Sequence, residues 1–105
     1  MENQQENTST TYSALFQPKR EVKVIKKDGS LEAFNVQKVI DAVGKSAYRA
    51  LTKFTDEEKE HICQFVVDKV DEMEQDKIPI PIMHNIVESA LEGVKPIVAK
   101  SYRDY

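Results

Sequence analysis

The chain has 105 residues, 40% of them apolar and 31% charged, with three glycines, four prolines and no tryptophan. That describes one ordinary globular domain and excludes collagenous and low-complexity architectures. A net charge of −3 and a pI near 5.4 argue against a general nucleic-acid binder, and the length argues against a complete enzyme for complex chemistry.

Residues 1–17 are rich in Glu, Asn, Gln, Ser and Thr and poor in aliphatics. Such a segment cannot bury enough apolar surface to offset its ordering entropy. It reads as a disordered leader through residue 19, with the folded domain spanning 20–105. A hairpin comes next. Val22 and Val24 alternate with Glu21, Lys23 and Lys26, the period of a half-buried strand. Asp28-Gly29 marks the turn, which needs a positive φ, and Leu31 to Phe34 form the return strand. An isolated hairpin is marginal in water, so this one must lie on an apolar support.

Four helices supply that support. Asn35 is an N-cap for a helix carrying Val36, Val39, Ile40, Val43, Ala47 and Leu51 at spacings of three and four. Thr55 to Glu58 is a capping box opening a second helix, with Ile62, Phe65, Val66, Val70 and Met73 as its stripe and an end near Gln75. Ile78 to Ile80 reads as extended, because proline pushes its predecessor out of the helical region. Pro81 then starts a third helix carrying Met83, Ile86, Val87, Ala90 and Leu91, closed by Gly93. Pro96 starts a fourth with Ile97, Val98, Ser101, Tyr102 and Tyr105, a stripe still running at the last residue, as expected of a domain excised from a longer chain. The predicted fold class is mainly α with a small β-hairpin (α+β): a four-helix bundle capped by an N-terminal β-hairpin.

Chemistry-bearing motifs are few. The single cysteine, Cys63, excludes an intramolecular disulfide and any multi-cysteine metal site, fits a cytoplasmic setting, and lies on a helix stripe where a core role is expected. No apolar run approaches the ~20 residues that cross a bilayer, and no signal peptide precedes the domain. There is no phosphate-binding glycine loop and no nucleophile elbow. His61 lacks partners at metal-ligand spacing, so no metal site is assigned.

Charge is unevenly spread. Lys19 to Lys38 hold six basic against three acidic residues, whereas Asp56 to Asp76 hold nine acidic residues against two lysines. A lysine-rich edge strand also discourages strand aggregation, and taken alone that is the simpler account. Lys38, however, falls in a first helical turn, where the macrodipole disfavours a cation. A bound anion would remove that mismatch, so Lys26, Lys27 and Lys38 beside a helix start suit a polyphosphate. Glu32 and Asn35 could read ribose hydroxyls or base edges, having both acceptor and donor atoms. His84, in the first turn of the third helix, is either a rim residue or a nucleotide contact.

The order of these pieces resembles a known family. Val24-Ile25-Lys26-Lys27-Asp28-Gly29-Ser30, followed by Glu32-x-Phe34-Asn35-x-x-Lys38-Val39, resembles the opening of the ATP-cone domain of ribonucleotide reductases. Ile82 to Glu88 and Val98 to Tyr105 resemble its third helix and closing Ala-x-x-Tyr-x-x-Tyr pattern, so the likeness covers about residues 20–105. The resemblance implies a hairpin lid over a four-helix bundle and an allosteric site taking ATP as activator and dATP as inhibitor, with Mg²⁺ on the triphosphate. It implies no catalysis by the domain itself; its partners would be the rest of the reductase large subunit and the radical-generating subunit, with no nucleic acid or membrane. Carried over by position, Lys26, Lys27 and Lys38 would meet phosphates, Val24, Glu32 and Asn35 would shape the base and ribose pocket, and His84 would approach the phosphate or metal side. Two positions depart from the pattern: Lys27 stands where arginine is common, and Ile80-Pro81 where a Ser or Thr commonly precedes the third helix. Two other readings stay open: the same cone in a DNA-binding repressor, disfavoured because residues 1–19 hold no cysteine for a zinc ribbon, and a nucleotide-free interaction module.

Overall fold

A computed structural model describes residues 11–104. In chain order it contains α1 (Thr11–Leu15), β1 (Lys23–Ile25), β2 (Leu31–Ala33), α2 (Val36–Arg49), α3 (Asp56–Met73), β3 (Lys77–Pro79), α4 (Ile80–Val94) and α5 (Pro96–Asp104). The fold is mainly helical with a small sheet, in agreement with the α+β expectation. The expected hairpin, however, is part of a three-stranded sheet ordered β2-β1-β3.

β1 and β2 pair antiparallel, with Val24 opposite Glu32. The turn closes through Gly29 N–H donating to the Lys26 carbonyl (2.9 Å) and Lys26 N–H to the Ser30 carbonyl (2.8 Å). The left-handed φ falls on Gly29 alone in this turn, at 87°, which fits a three-residue loop ending in a glycine bulge better than a two-residue Asp-Gly turn. β3 lies parallel to β1 on its other side, with Val24 opposite Ile78. The extended conformation expected at Ile78 is therefore a sheet strand, and Ile78 is fully buried beneath it. Sequence spacing could not show this, because parallel pairing joins segments far apart along the chain.

α3, with 18 residues, is the longest of the described helices. Its capping box is complete: the Thr55 side chain accepts from Glu58 N–H (3.1 Å), and the Glu58 carboxylate accepts from Thr55 N–H (2.9 Å). Ile62, Cys63, Val66, Val67 and Val70 are buried, while Phe65 and Met73 from the expected stripe are half-buried. Cys63 takes the core role expected of it, and the apolar face extends to Val67 because α3 packs against both α2 and α4. α4 begins at Ile80, with Pro81 second, and passes through Gly93 to Val94. Pro96 stops it by holding Lys95 extended (φ −145°, ψ 94°), so proline and not glycine ends this helix.

Three further expectations are corrected. Leu51 is not on the α2 stripe; it follows the helix in a left-handed conformation (φ 61°) and is 93% exposed. Ile97 is exposed on α5, while the expected Val98 is buried together with Ala99. Residues 11–15, assigned to a disordered leader, form α1, whose Tyr12 stacks on Phe16 just beyond the helix, and both rings pack on the core. Two aromatic rings one helical turn apart supply the apolar area that the composition of the whole segment concealed. The rest of that leader, residues 1–10, and Tyr105 lie outside the described residues.

Candidate functional site

The hairpin, the start of α2, the start of α4 and the end of α5 converge on one face. Beneath the hairpin is a cavity of about 140 Å³ lined by Val24, Glu32, Asn35, Lys38 and His84, with Ile80, Met83, Val87 and Tyr102 among its apolar and aromatic walls. At the turn a hollow of about 380 Å³ is lined by Lys26, Lys27, Asp28, Glu32 and Ile80. On the other side a groove of about 510 Å³ runs between α2, α4 and α5, and shares Lys27, His84 and Tyr102 with these two. The cavity alone lies below the roughly 300 Å³ at which ligand pockets begin, but the adjoining hollows extend it. Larger spaces of about 680 and 790 Å³ flank α1 and the outer face of α2, and Lys26, Lys27 and Lys38 line neither.

All seven residues singled out from the sequence line this face. Val24 is buried by its two sheet neighbours and forms part of the cavity roof. The turn holds Lys26 and Lys27 exposed, and neither makes an ion pair among the described residues. Other cations of this region are occupied: Arg20 pairs with Asp76 at 3.1 Å and Lys23 with Glu21 at 3.7 Å. Asp28 is committed to the turn, its carboxylate accepting from the Ser30 hydroxyl (2.6 Å) and N–H (2.9 Å). Those hydrogen bonds, aided by Lys26, hold its carboxyl below the usual range.

Asn35 is the α2 N-cap; its side-chain oxygen accepts from Gln37 N–H at 2.8 Å. The expected anion-ready start of α2 is thus already capped, and Lys38 is countered by Glu32, with which it forms an ion pair. The α4 start differs. It has no side-chain cap and no acidic residue in its first turn, so the positive end of its dipole lies at the cavity beside Ile80 and His84. His84 is exposed and meets Tyr102 edge-on, with ring centroids 5.9 Å apart. Burial and the nearby Glu88 carboxylate push the Tyr102 hydroxyl pKa up, so it remains a neutral hydrogen-bonding group.

Several lining residues escaped the sequence reading. Lys45 and Arg103 border the groove, with Arg103 held by Glu88 and by Glu92 at 3.7 Å. Lys45 lies seven residues, about two turns, beyond Lys38 on α2, and that helical spacing was the available signal. Cys63 is outside the site and fully buried, its thiol pushed up to about 12 by desolvation and Glu60, which makes it an inert core group. Among the described residues no group of three or more His, Cys, Asp and Glu side chains could hold a metal ion, and no helix is long and apolar enough to cross a membrane.

A comparison with protein-family models matches residues 22–105 to the ATP cone domain. The chain belongs to that family. ATP-cone domains are nucleotide-binding regulatory modules that take ATP or dATP as effector, and they are not catalytic. A comparison with curated proteins finds no match. The matched span begins at Val22, one residue before β1, and covers the hairpin and every helix after it, so each cavity-lining element belongs to the ATP cone.

Proposed function

We propose that this ATP cone binds an adenine nucleoside triphosphate under its hairpin and serves as the activity-regulating domain of a cytoplasmic ribonucleotide reductase large subunit. The observation that carries the reading is that Lys38, Glu32, Asn35 and His84 line one cavity, and Lys26 and Lys27 the hollow adjoining it at Glu32, within a cone-family chain. In this reading the base and ribose lie against Val24, Ile80 and Met83, and the phosphates run toward the turn lysines and the uncapped α4 start. Glu32 and Asn35 face the ribose, where one hydroxyl separates ATP from dATP. A group that needs that hydroxyl paired, or is crowded by it, supplies the discrimination.

Mg²⁺ enters with the triphosphate. Held by water and phosphate oxygens, it would need no cage of protein carboxylates, and Glu32 and His84, which both line the cavity, would be the side chains to orient its water shell. Regulation follows by population shift: the ligand touches the hairpin, α2, α4 and α5 together, favours one packing of these elements, and so changes the surface presented to the partner subunit.

Thermal unfolding with Mg²⁺ and ATP, dATP or GTP tests this directly. At about 100 times its dissociation constant a ligand adds roughly 2.7 kcal/mol of stability, a shift on the order of 10–20 °C in a domain this size. ATP and dATP should raise the midpoint and GTP should not; no shift with either adenine nucleotide would overturn the reading.

A further inference from the structure

Glu32 stands among the cations of the site. Its carboxylate lines both the turn hollow, beside Lys26 and Lys27, and the cavity beneath the hairpin, where it pairs with Lys38. The register opposite Val24 sets this position, since moving Glu32 to the other sheet face would require β2 to slip by one residue. The other turn carboxylate, Asp28, spends its hydrogen bonds on Ser30 and, although Lys26 is near enough to lower its pKa, makes no ion pair with a lysine among the described residues.

Lys38 also sits where its charge is disfavoured. It is in the first turn of α2, which contains no acidic residue, so Glu32 supplies from the hairpin the counter-charge that the helix lacks. The pair is accessible to solvent, with side-chain exposures of 63% for Lys38 and 36% for Glu32, and can open without disturbing the core. A carboxylate carries one negative charge. A polyphosphate brings several charges and more acceptor oxygens to the same ammonium, whereas a single phosphate brings little more than it displaces.

Resting on the nucleotide reading above, we propose that the Glu32–Lys38 ion pair is a charge gate: Glu32 holds Lys38 as an internal stand-in anion and releases it only to a ligand carrying several phosphates. Closed, the pair ties β2 to α2. Open, it frees the hairpin from the start of that helix at the moment the phosphates arrive. The gate therefore selects for phosphate number independently of the base.

The test measures calorimetric binding of inorganic tripolyphosphate and of Mg-ATP to the 105-residue chain and to its Glu32→Gln and Glu32→Thr variants. Circular dichroism confirms folding first; threonine is a good strand former and guards against a failure peculiar to glutamine. Removing the stand-in carboxylate should tighten tripolyphosphate binding about three- to fivefold at low salt, the worth of a partly exposed ion pair. The gain should shrink as salt rises. Tripolyphosphate affinity that is unchanged or weaker in both variants, while the unsubstituted chain still binds ATP, overturns the gate. If ATP affinity also falls in that case, Glu32 is a nucleoside contact and the nucleotide reading survives without the gate. If no form of the chain binds either ligand, the nucleotide reading itself fails.

Discussion

The Asn35 side-chain oxygen accepts a hydrogen bond from Gln37 N–H at 2.8 Å, so one end of this side chain closes α2, and the cap makes no use of the amide nitrogen of this cavity-lining residue. Under the proposed function, folding and binding would draw on different atoms of one residue. Asn35→Asp keeps the capping oxygen, removes the amide donor and adds a negative charge. It should leave the urea midpoint nearly unchanged while weakening nucleotide binding. Asn35→Ala loses the cap as well and should cost about 1 kcal/mol of stability. Calorimetric titration alongside urea unfolding separates the two effects.

Lys38 is the lysine that lines the cavity beneath the hairpin, and its side chain is 63% exposed. Lys38→Met should weaken Mg-ATP binding about tenfold or more, the worth of a charge-assisted hydrogen bond to phosphate. Stability should change by less than about 1 kcal/mol, because an exposed ion pair contributes little. An affinity equal to that of the unsubstituted chain would remove Lys38 from the site.

The α3 capping box makes stability pH-dependent. The Thr55 N–H hydrogen bond, reinforced by Lys95, holds the Glu58 carboxyl below its ordinary value of 4.5. A depressed folded-state pKa contributes stability that is present above the unfolded value and is lost as pH falls through the folded one. The unsubstituted chain should thus melt higher than Glu58→Gln at pH 7, and the gap should close on acidification below pH ~4. Melting curves for the two proteins from pH 7 to pH 3 check the sign; a gap that widens in acid contradicts it.

Leu51 has φ 61° with its side chain 93% exposed, at the turn where Thr52 N–H donates to the Ala47 carbonyl at 2.9 Å. This is the helix C-terminal position where glycine is usual. A leucine there bears left-handed strain without compensating burial. Leu51→Gly should stabilise the domain by about 0.5–1 kcal/mol, the relieved strain exceeding the extra unfolded-state entropy of glycine. A urea midpoint that falls would show that Leu51 makes contacts outweighing its strain.

What was legible in the sequence was local. Thr55 with Glu58, Asn35 at the start of α2, Gly29 in the turn and Pro96 at the start of α5 each act on backbone within about one helical turn. Their consequences follow from residue type and spacing alone. The helical stripes were readable for the same reason, but only to within a rotation: besides the expected Cys63, α3 buries Val67 and leaves Phe65 and Met73 half-buried, because α2 and α4 cover it from two sides.

The candidate site was legible as a set of residue types in an order, resembling a family pattern, and not as a geometry. Nothing local shows that Ile78 enters the sheet beside Val24, that Glu32 pairs with Lys38, or that Tyr102 meets His84 edge-on. Those relationships depend on how far the sheet slides over the helix ends and on which helix face turns toward it. The chain by itself determined which segments become helix or strand and which charges they carry. Packing of the whole core decided which of those charges meet, since burying the apolar faces of α2, α3, α4 and the sheet together permits few placements of the hairpin over them.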